Sequence, residues 1–158
     1  MSKKISYSQY LNLEKILNSQ DLISLKNNKP IHDEMLFIII HQVYELWFKQ
    51  IIHELDSIIS YLKNPNVNES NINIIVIRLE RINSIQKLAN GQIEILQTMT
   101  PMDFLEFRDL LNPASGFQSQ QFRIIENALG LKSNQRLKFN KLNYTKFLSK
   151  NEKELVEK

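Results

Sequence analysis

A chain of 158 residues with 42% hydrophobic content is long enough to enclose a core and too apolar to stay disordered, and without cysteine it can build neither a disulfide framework nor a thiolate metal site. Its net charge of +3 is uneven: Lys132 to Lys158 hold 8 basic and 3 acidic residues, a net +5 that leaves −2 on the rest. That basic end lacks the interleaved aromatics of a base-stacking surface, which argues against nucleic acid as a partner.

The opening residues, MSKKISYSQYLNLEKIL, contain no uninterrupted apolar run of signal-peptide length and suit an N-terminal helix over Tyr7 to Leu17. From Asp33 to Leu62 apolar residues recur at Leu36, Ile40, Val43, Trp47, Ile51, Leu55, Ile58 and Leu62, which predicts one long amphipathic helix with Asp33 as its N-cap. Phe37, Ile38, Ile39, Tyr44 and Phe48 fill the other sides of its first half, so that half is expected to be buried nearly all round. The second half, with His53, Asp56 and Lys63, is expected to surface. Because His41, Gln42, Glu45 and Lys49 interrupt the apolar run, we expect a soluble cytoplasmic protein with no membrane partner.

After the polar connection NPNVNESN, a second long helix is expected from Ile72 to Met99, using Ile72, Ile75, Leu79, Ile82, Leu88, Ile93 and Leu96, with Gly91 weakening its middle. Thr100 to Asp103, T-P-M-D, offers a capping hydroxyl, a proline at the first helical position and an acid in the first turn, so a short helix carrying Phe104, Phe107 and Arg108 begins there. The loop NPASG leads into another start, where Ser115 and Gln118 have capping-box spacing, and that helix should stop near Gly130. With only 3 glycines, 4 prolines and no hairpin signal, repeat or domain boundary, residues 1–158 read as a single all-α domain, a bundle with two long core helices.

Three histidines invite a metal reading, but HELDS at His53 to Ser57 ends in serine where a zinc helix needs a second histidine, and His41 with Glu45 supplies too few ligands. There is no glycine-rich phosphate loop and no nucleophile elbow. His41 stands in an apolar segment and has two readings: a core histidine satisfied by a local carbonyl, or, with Phe37 one turn earlier, a polar group beside an aromatic wall that orients a flat ligand. Arg108, in FLEFRDLL, either pairs locally with Glu106 or Asp109 or holds a planar carboxylate through its guanidinium fork. Tyr7, Tyr10 and Trp47 read as core or interface aromatics.

HDEMLFIIIHQVYELWFKQIIHELDS and FLEFRDLLNPASGFQSQQFRIIEN, with the N-terminal YSQYLNLEKIL, resemble the tryptophan 2,3-dioxygenase family, haem enzymes that open the indole ring of L-tryptophan with O2 to give N-formylkynurenine. The resemblance is collinear from about Ser6 to Leu148 and rests on two long motifs at the right separation. It implies an all-α fold of the haem-dioxygenase type, haem as cofactor, and a homotetramer. It also implies a role for individual residues. His41 would be the catalytic-pocket histidine that hydrogen-bonds the indole N–H, Phe37 would pack on the indole ring with Ile38, Ile39 and Ile40 beside it, and Arg108 would bind the substrate carboxylate. Phe104 occupies a pocket-wall position that is tyrosine in some members. Ser115 and Gly116 would line the distal side of the haem, and Tyr7, Tyr10 and Leu11 would reach into a neighbouring subunit's pocket. Members of the family are longer, and their haem-ligating histidine lies in a C-terminal region that this sequence does not contain; none of His32, His41 or His53 matches it. The expectation is therefore a chain that supplies the substrate-binding half, with a separate C-terminal chain as a possible partner. A haem-free helical ligand-binding or oligomerisation protein is the alternative.

Overall fold

The computed structural model describes residues 4–66, 68–136 and 143–156, and all regular structure among them is helical. The N-terminal segment forms not one helix but two, α1 (Tyr7–Leu11) and α2 (Leu13–Leu17). Asn12 separates them in the left-handed region with φ 54°, a conformation that asparagine tolerates better than most residues. Ser6 and Gln9 start α1 with a reciprocal capping box. A short α3 (Ile23–Lys26) follows, and the buried Glu34 carboxylate accepts the backbone N–H groups of Ile23 and Ser24 at 2.8 and 2.9 Å, anchoring that turn to the next helix.

That next helix, α4 (Asp33–Leu62), has the predicted length, but His32 is its N-cap residue and gives no side-chain cap; Asp33 lies inside the first turn, where its charge favours the helix dipole. Its burial reverses the expectation. The second half carries the core, with Ile51, Leu55 and Ile58 packed against Ile75, Ile82 and Ile85 of α5 (Glu69–Gly91) and Ile125 of α8 (Gln120–Ala128). The first half is covered less completely, because the long α5 and α8 lie against the other end and α7 (Pro101–Arg108) is a short partner. His53, Asp56 and Lys63 are exposed as expected, whereas Glu54 is buried and held by Gln50, Arg81 and Arg78 at 2.6, 2.7 and 3.7 Å. By length and composition α4 could cross a bilayer; it also holds buried Glu34 and Glu54 with their partners and packs against α5 and α8.

The second long helix breaks where Gly91 is expected to weaken it: α5 stops at Gly91, and α6 (Ile93–Leu96) is a separate turn. Only Ile75, Ile82 and Ile85 of α5 are buried, while Ile72, Leu79 and Leu88 of the expected stripe are exposed, as is Ile93 of α6. Tyr44 donates its hydroxyl to the Ala89 carbonyl at 2.7 Å, and burial pushes that phenol above its ordinary range. The start of α7 is as read from T-P-M-D: Thr100 accepts from the Asp103 N–H, Asp103 accepts from the Thr100 N–H, and Pro101 sits at the first position. Phe107 of α7 is fully buried with Ile31 and Met99 in a second cluster, against which Leu36, Phe37, Phe104, Leu110 and Leu111 pack.

Candidate functional site

A cleft of about 500 Å³ lies where α4 and α7 meet the loop after α7, and its lining includes Phe37, His41, Phe104, Arg108, Ser115 and Gly116. Phe37 and His41 are one turn apart on α4, so helical geometry puts both on one face. Their rings lie 4.2 Å apart, tilted by 39°. Phe104 and Phe107 support Phe37 at 5.7 and 5.5 Å and meet each other edge to face at 5.5 Å, so the cleft wall is an aromatic cluster rooted in the buried Phe107.

His41 Nδ1 lies 2.7 Å from the Phe37 carbonyl oxygen. A carbonyl only accepts, so the neutral ring in this arrangement carries its proton on Nδ1, and its Nε2 presents a lone pair. His41 is exposed and so is not the core histidine of the first reading, although the local carbonyl bond of that reading is present; the other nitrogen remains an acceptor. Arg108 is partly buried, with its guanidinium carbon 6.0 Å from the centre of the Phe104 ring. Among the described residues no carboxylate pairs with it; Glu106 and Asp109, the local candidates, do not. A fork without an anion faces a cleft that an acidic ligand could enter.

Ile38, Ile39 and Ile40 do not join the lining of this cleft. Successive helical residues turn by about 100°, so positions between Phe37 and His41 point elsewhere. Ile40 is buried, and Ile39 is 41% exposed. Tyr7, Tyr10 and Leu11, all on α1, are exposed and line neither this cleft nor its neighbour.

The sequence does not single out Ser119, and it shows Glu45 and Gln118 only as a partial ligand pair with His41 and as a capping residue, not as lining of this cleft. Glu45 is one turn beyond His41, the spacing already noted for a ligand pair; its carboxylate and its carbonyl both accept from Gln121 Nε2 at 2.8 Å, which ties α8 to α4. Gln118 and Ser119 were hidden because the Ser115–Gln118 capping box closes a single 3₁₀ turn, Gly116–Gln118, and not the long helix; α8 begins after a new cap at Ser119, ends at Ala128 and is followed by Gly130 with φ 76°. Ser115, Gly116 and Ser119, with His41 and Glu45, also line a second cleft of about 400 Å³.

A sequence model described as tryptophan 2,3-dioxygenase matches residues 1–158. The chain belongs to the tryptophan 2,3-dioxygenase family. It is 54% identical over 148 residues to a tryptophan 2,3-dioxygenase of Bdellovibrio bacteriovorus, covering 94% of this chain and 41% of that protein. Against the tryptophan 2,3-dioxygenase of Dictyostelium discoideum it is 52% identical over 155 residues, 98% of this chain and 39% of the relative. That of Aedes aegypti is 56% identical over 134 residues, 85% of this chain and 34% of the relative. The chain therefore spans about two fifths or less of the length of these relatives.

Enzymes of this family depend on haem. The second cleft fits one face of such a group: Tyr44, Phe48 and Phe122 give it an apolar wall, and a Cβ built on Gly116 would meet nothing within 4 Å, so a flat ring could approach that backbone. The described residues do not fit the axial bond. His41 bonds Phe37 through Nδ1, His32 and His53 line neither cleft, and the Tyr44 hydroxyl donates its hydrogen bond to the Ala89 carbonyl. Among the described residues no three His, Asp or Glu side chains gather as a metal site.

Proposed function

We propose that this chain supplies the substrate-binding wall of a tryptophan 2,3-dioxygenase, which cleaves the indole ring of L-tryptophan with O2 to N-formylkynurenine in tryptophan catabolism. The observation that carries the proposal is the convergence, in one cleft, of a lone-pair acceptor on His41 Nε2, an aromatic wall built on Phe37, and an Arg108 fork that pairs with no carboxylate among the described residues. L-Tryptophan has a matching set of groups: an indole N–H donor, a flat apolar ring and a carboxylate.

In this arrangement the indole packs on Phe37, its N–H donates to His41 Nε2, and the carboxylate takes two parallel hydrogen bonds from Arg108. Phe104 stands at the wall without a hydroxyl, so no phenolic hydrogen bond reaches the carboxylate from that position. Three fixed points set both the position and the rotation of the ring, and aromatic packing keeps water from the reacting face. Ser115 and Gly116 would lie against bound haem, which would supply the O2 chemistry, while this chain's residues hold the substrate in place. Tyr7, Tyr10 and Leu11, exposed on α1, are assigned to a neighbouring subunit's pocket in a homotetramer, and the setting is cytoplasmic.

One feature favours the haem-free reading, a helical ligand-binding or oligomerising protein: apolar residues of α5 such as Ile72, Val76 and Ile77 are exposed. Two measurements separate the readings. Calorimetry with L-tryptophan should show binding that Arg108→Ala weakens by roughly 30- to 140-fold, the lower part of the 2–5 kcal/mol range for a desolvated charge pair because Arg108 is partly exposed. Haem uptake and N-formylkynurenine formation should then appear when a polypeptide carrying the family's C-terminal region is added. Tryptophan binding indifferent to Arg108→Ala would remove the carboxylate site, and binding without product in the completed assembly would leave the haem-free reading.

A further inference from the structure

Leu46, in the apolar first half of α4, is 51% exposed, and two clefts meet at it, neither of which includes Phe37 or Arg108. One, of about 420 Å³, lies between α2 and α4; Lys15, Ile16 and Lys49 line it with Leu46, and His41 and Glu45 reach it from the site already described. The other, of about 490 Å³, lies between α4 and α5, with Trp47, Arg81 and Ile85 beside Leu46. Together they form a groove along α4 from Gln42 to Gln50, about 12 Å at the helical rise per residue. A groove open on both sides of one leucine suits a chain segment better than a compact ligand, which needs enclosure.

The groove also states what its occupant should carry. Trp47 Nε1 is shielded from solvent and has no acceptor, an arrangement that a docked segment bringing an oxygen would relieve. Lys15 and Lys49 are exposed and pair with no carboxylate among the described residues, and the chain holds one acid outside them, Glu157. Glu45, the acid in the lining, is engaged by Gln121, and the half-exposed Arg81 adds a third cation beside the apolar floor. The complement is an amphipathic segment whose apolar face is flanked by Asp or Glu. A second copy of this chain fits less well, because two-fold pairing of the groove with itself would set its cations against the same cations. The relatives hold sequence that this chain lacks: it spans 41% of the Bdellovibrio bacteriovorus protein.

We infer that the groove on either side of Leu46 is the docking surface for a helical segment of the family's C-terminal region, seated with its apolar face on Leu46 and Trp47 and its acidic side chains toward Lys49 and Arg81. The inference rests on the family assignment and not on the tryptophan reading, so either can fail alone: calorimetry of L-tryptophan with Arg108→Ala is a separate readout.

The chain contains no cysteine, so a single substitution gives a thiol at one chosen place. The full chain would carry Leu46→Cys in the groove or, as a control, Leu25→Cys on α3, where Leu25 is 61% exposed. Each would be co-expressed with a tagged C-terminal region of the Bdellovibrio bacteriovorus relative, so that neither part has to fold alone, and the labelling rate with N-ethylmaleimide would be read by mass spectrometry. Complex formation should slow labelling of Leu46→Cys at least about 10-fold and leave Leu25→Cys unchanged, since docking removes water from the centre of the contact and not from α3. Leu46→Glu, at an exposed position that tolerates charge in the free chain, should weaken the complex roughly 10- to 100-fold. Co-purification with Leu46→Cys still freely labelled would overturn the inference, as would the absence of any complex or a complex indifferent to Leu46→Glu. Protection that rises with the concentration of the chain alone would also overturn it, by making a second copy the occupant.

Discussion

Removal of the His41 imidazole should weaken tryptophan binding only moderately. His41 Nδ1 is already used by the Phe37 carbonyl at 2.7 Å, so the ligand can gain one hydrogen bond, from its indole N–H to Nε2. A hydrogen bond between neutral partners contributes about 0.5–1.5 kcal/mol net, and His41 is exposed, which favours the lower half of that range. His41→Ala should therefore raise the dissociation constant about 2- to 5-fold. The test is a double cycle by calorimetry, pairing His41→Ala with 3-(benzothiophen-3-yl)alanine, an analogue of nearly the same shape in which sulfur replaces N–H. If Nε2 takes the indole proton, each change alone costs that amount and the two together cost little more than one. Additive losses would refute the hydrogen bond and return His41 to a packing role against Phe37.

Two further predictions concern the frame that holds the site. Phe107 is fully buried and braces both Phe37 and Phe104, so Phe107→Ala should lower stability by about 3–5 kcal/mol in urea denaturation and weaken tryptophan binding with it; a loss below about 1 kcal/mol would mean the aromatic cluster is not a support. Burial alone would raise the Glu54 carboxyl, but hydrogen bonds from Arg81 and Gln50 and the charges of Arg81 and Arg78 outweigh it and hold the group below the ordinary glutamate range. A depressed folded-state value stabilises the protein above the unfolded carboxyl's pKa, about 4.3, and that contribution disappears as pH falls through the folded value. Glu54→Gln should therefore narrow the stability gap from the wild type on going from pH 7 to pH 3, and a gap that stays constant with pH would dismiss the charge as its origin. Because the Arg81 side chain is 52% exposed, screening keeps the pair's contribution to about 1 kcal/mol or less.

The helices were legible where local chemistry decides them. Thr100, Pro101 and Asp103 set the start of α7 through contacts within one turn, and the step of four from Phe37 to His41 placed two rings on one face before any tertiary contact was known. What the sequence did not disclose depends on which neighbours arrive. The apolar residues of α4 are dense in its first half, yet its core is in the second, because Ile75, Ile82 and Ile125 come from elements whose docking no single-helix pattern encodes. Ser115 looked like a helix cap for the same reason: the capping box is a one-turn device, and it closes a 3₁₀ turn as readily as it starts a helix. That misreading bears on function. Because the chain does not run straight from Ser115 into α8, Ser115, Gly116 and Ser119 stay in a short turned segment that lines both clefts, with His41 on the wall common to them. A continuous helix from Ser115 would expose its backbone N–H groups only at its first turn and would carry side chains past the clefts. The irregular segment instead leaves an unobstructed glycine on the wall shared by the two clefts, and under the proposed function this is where substrate and cofactor would meet.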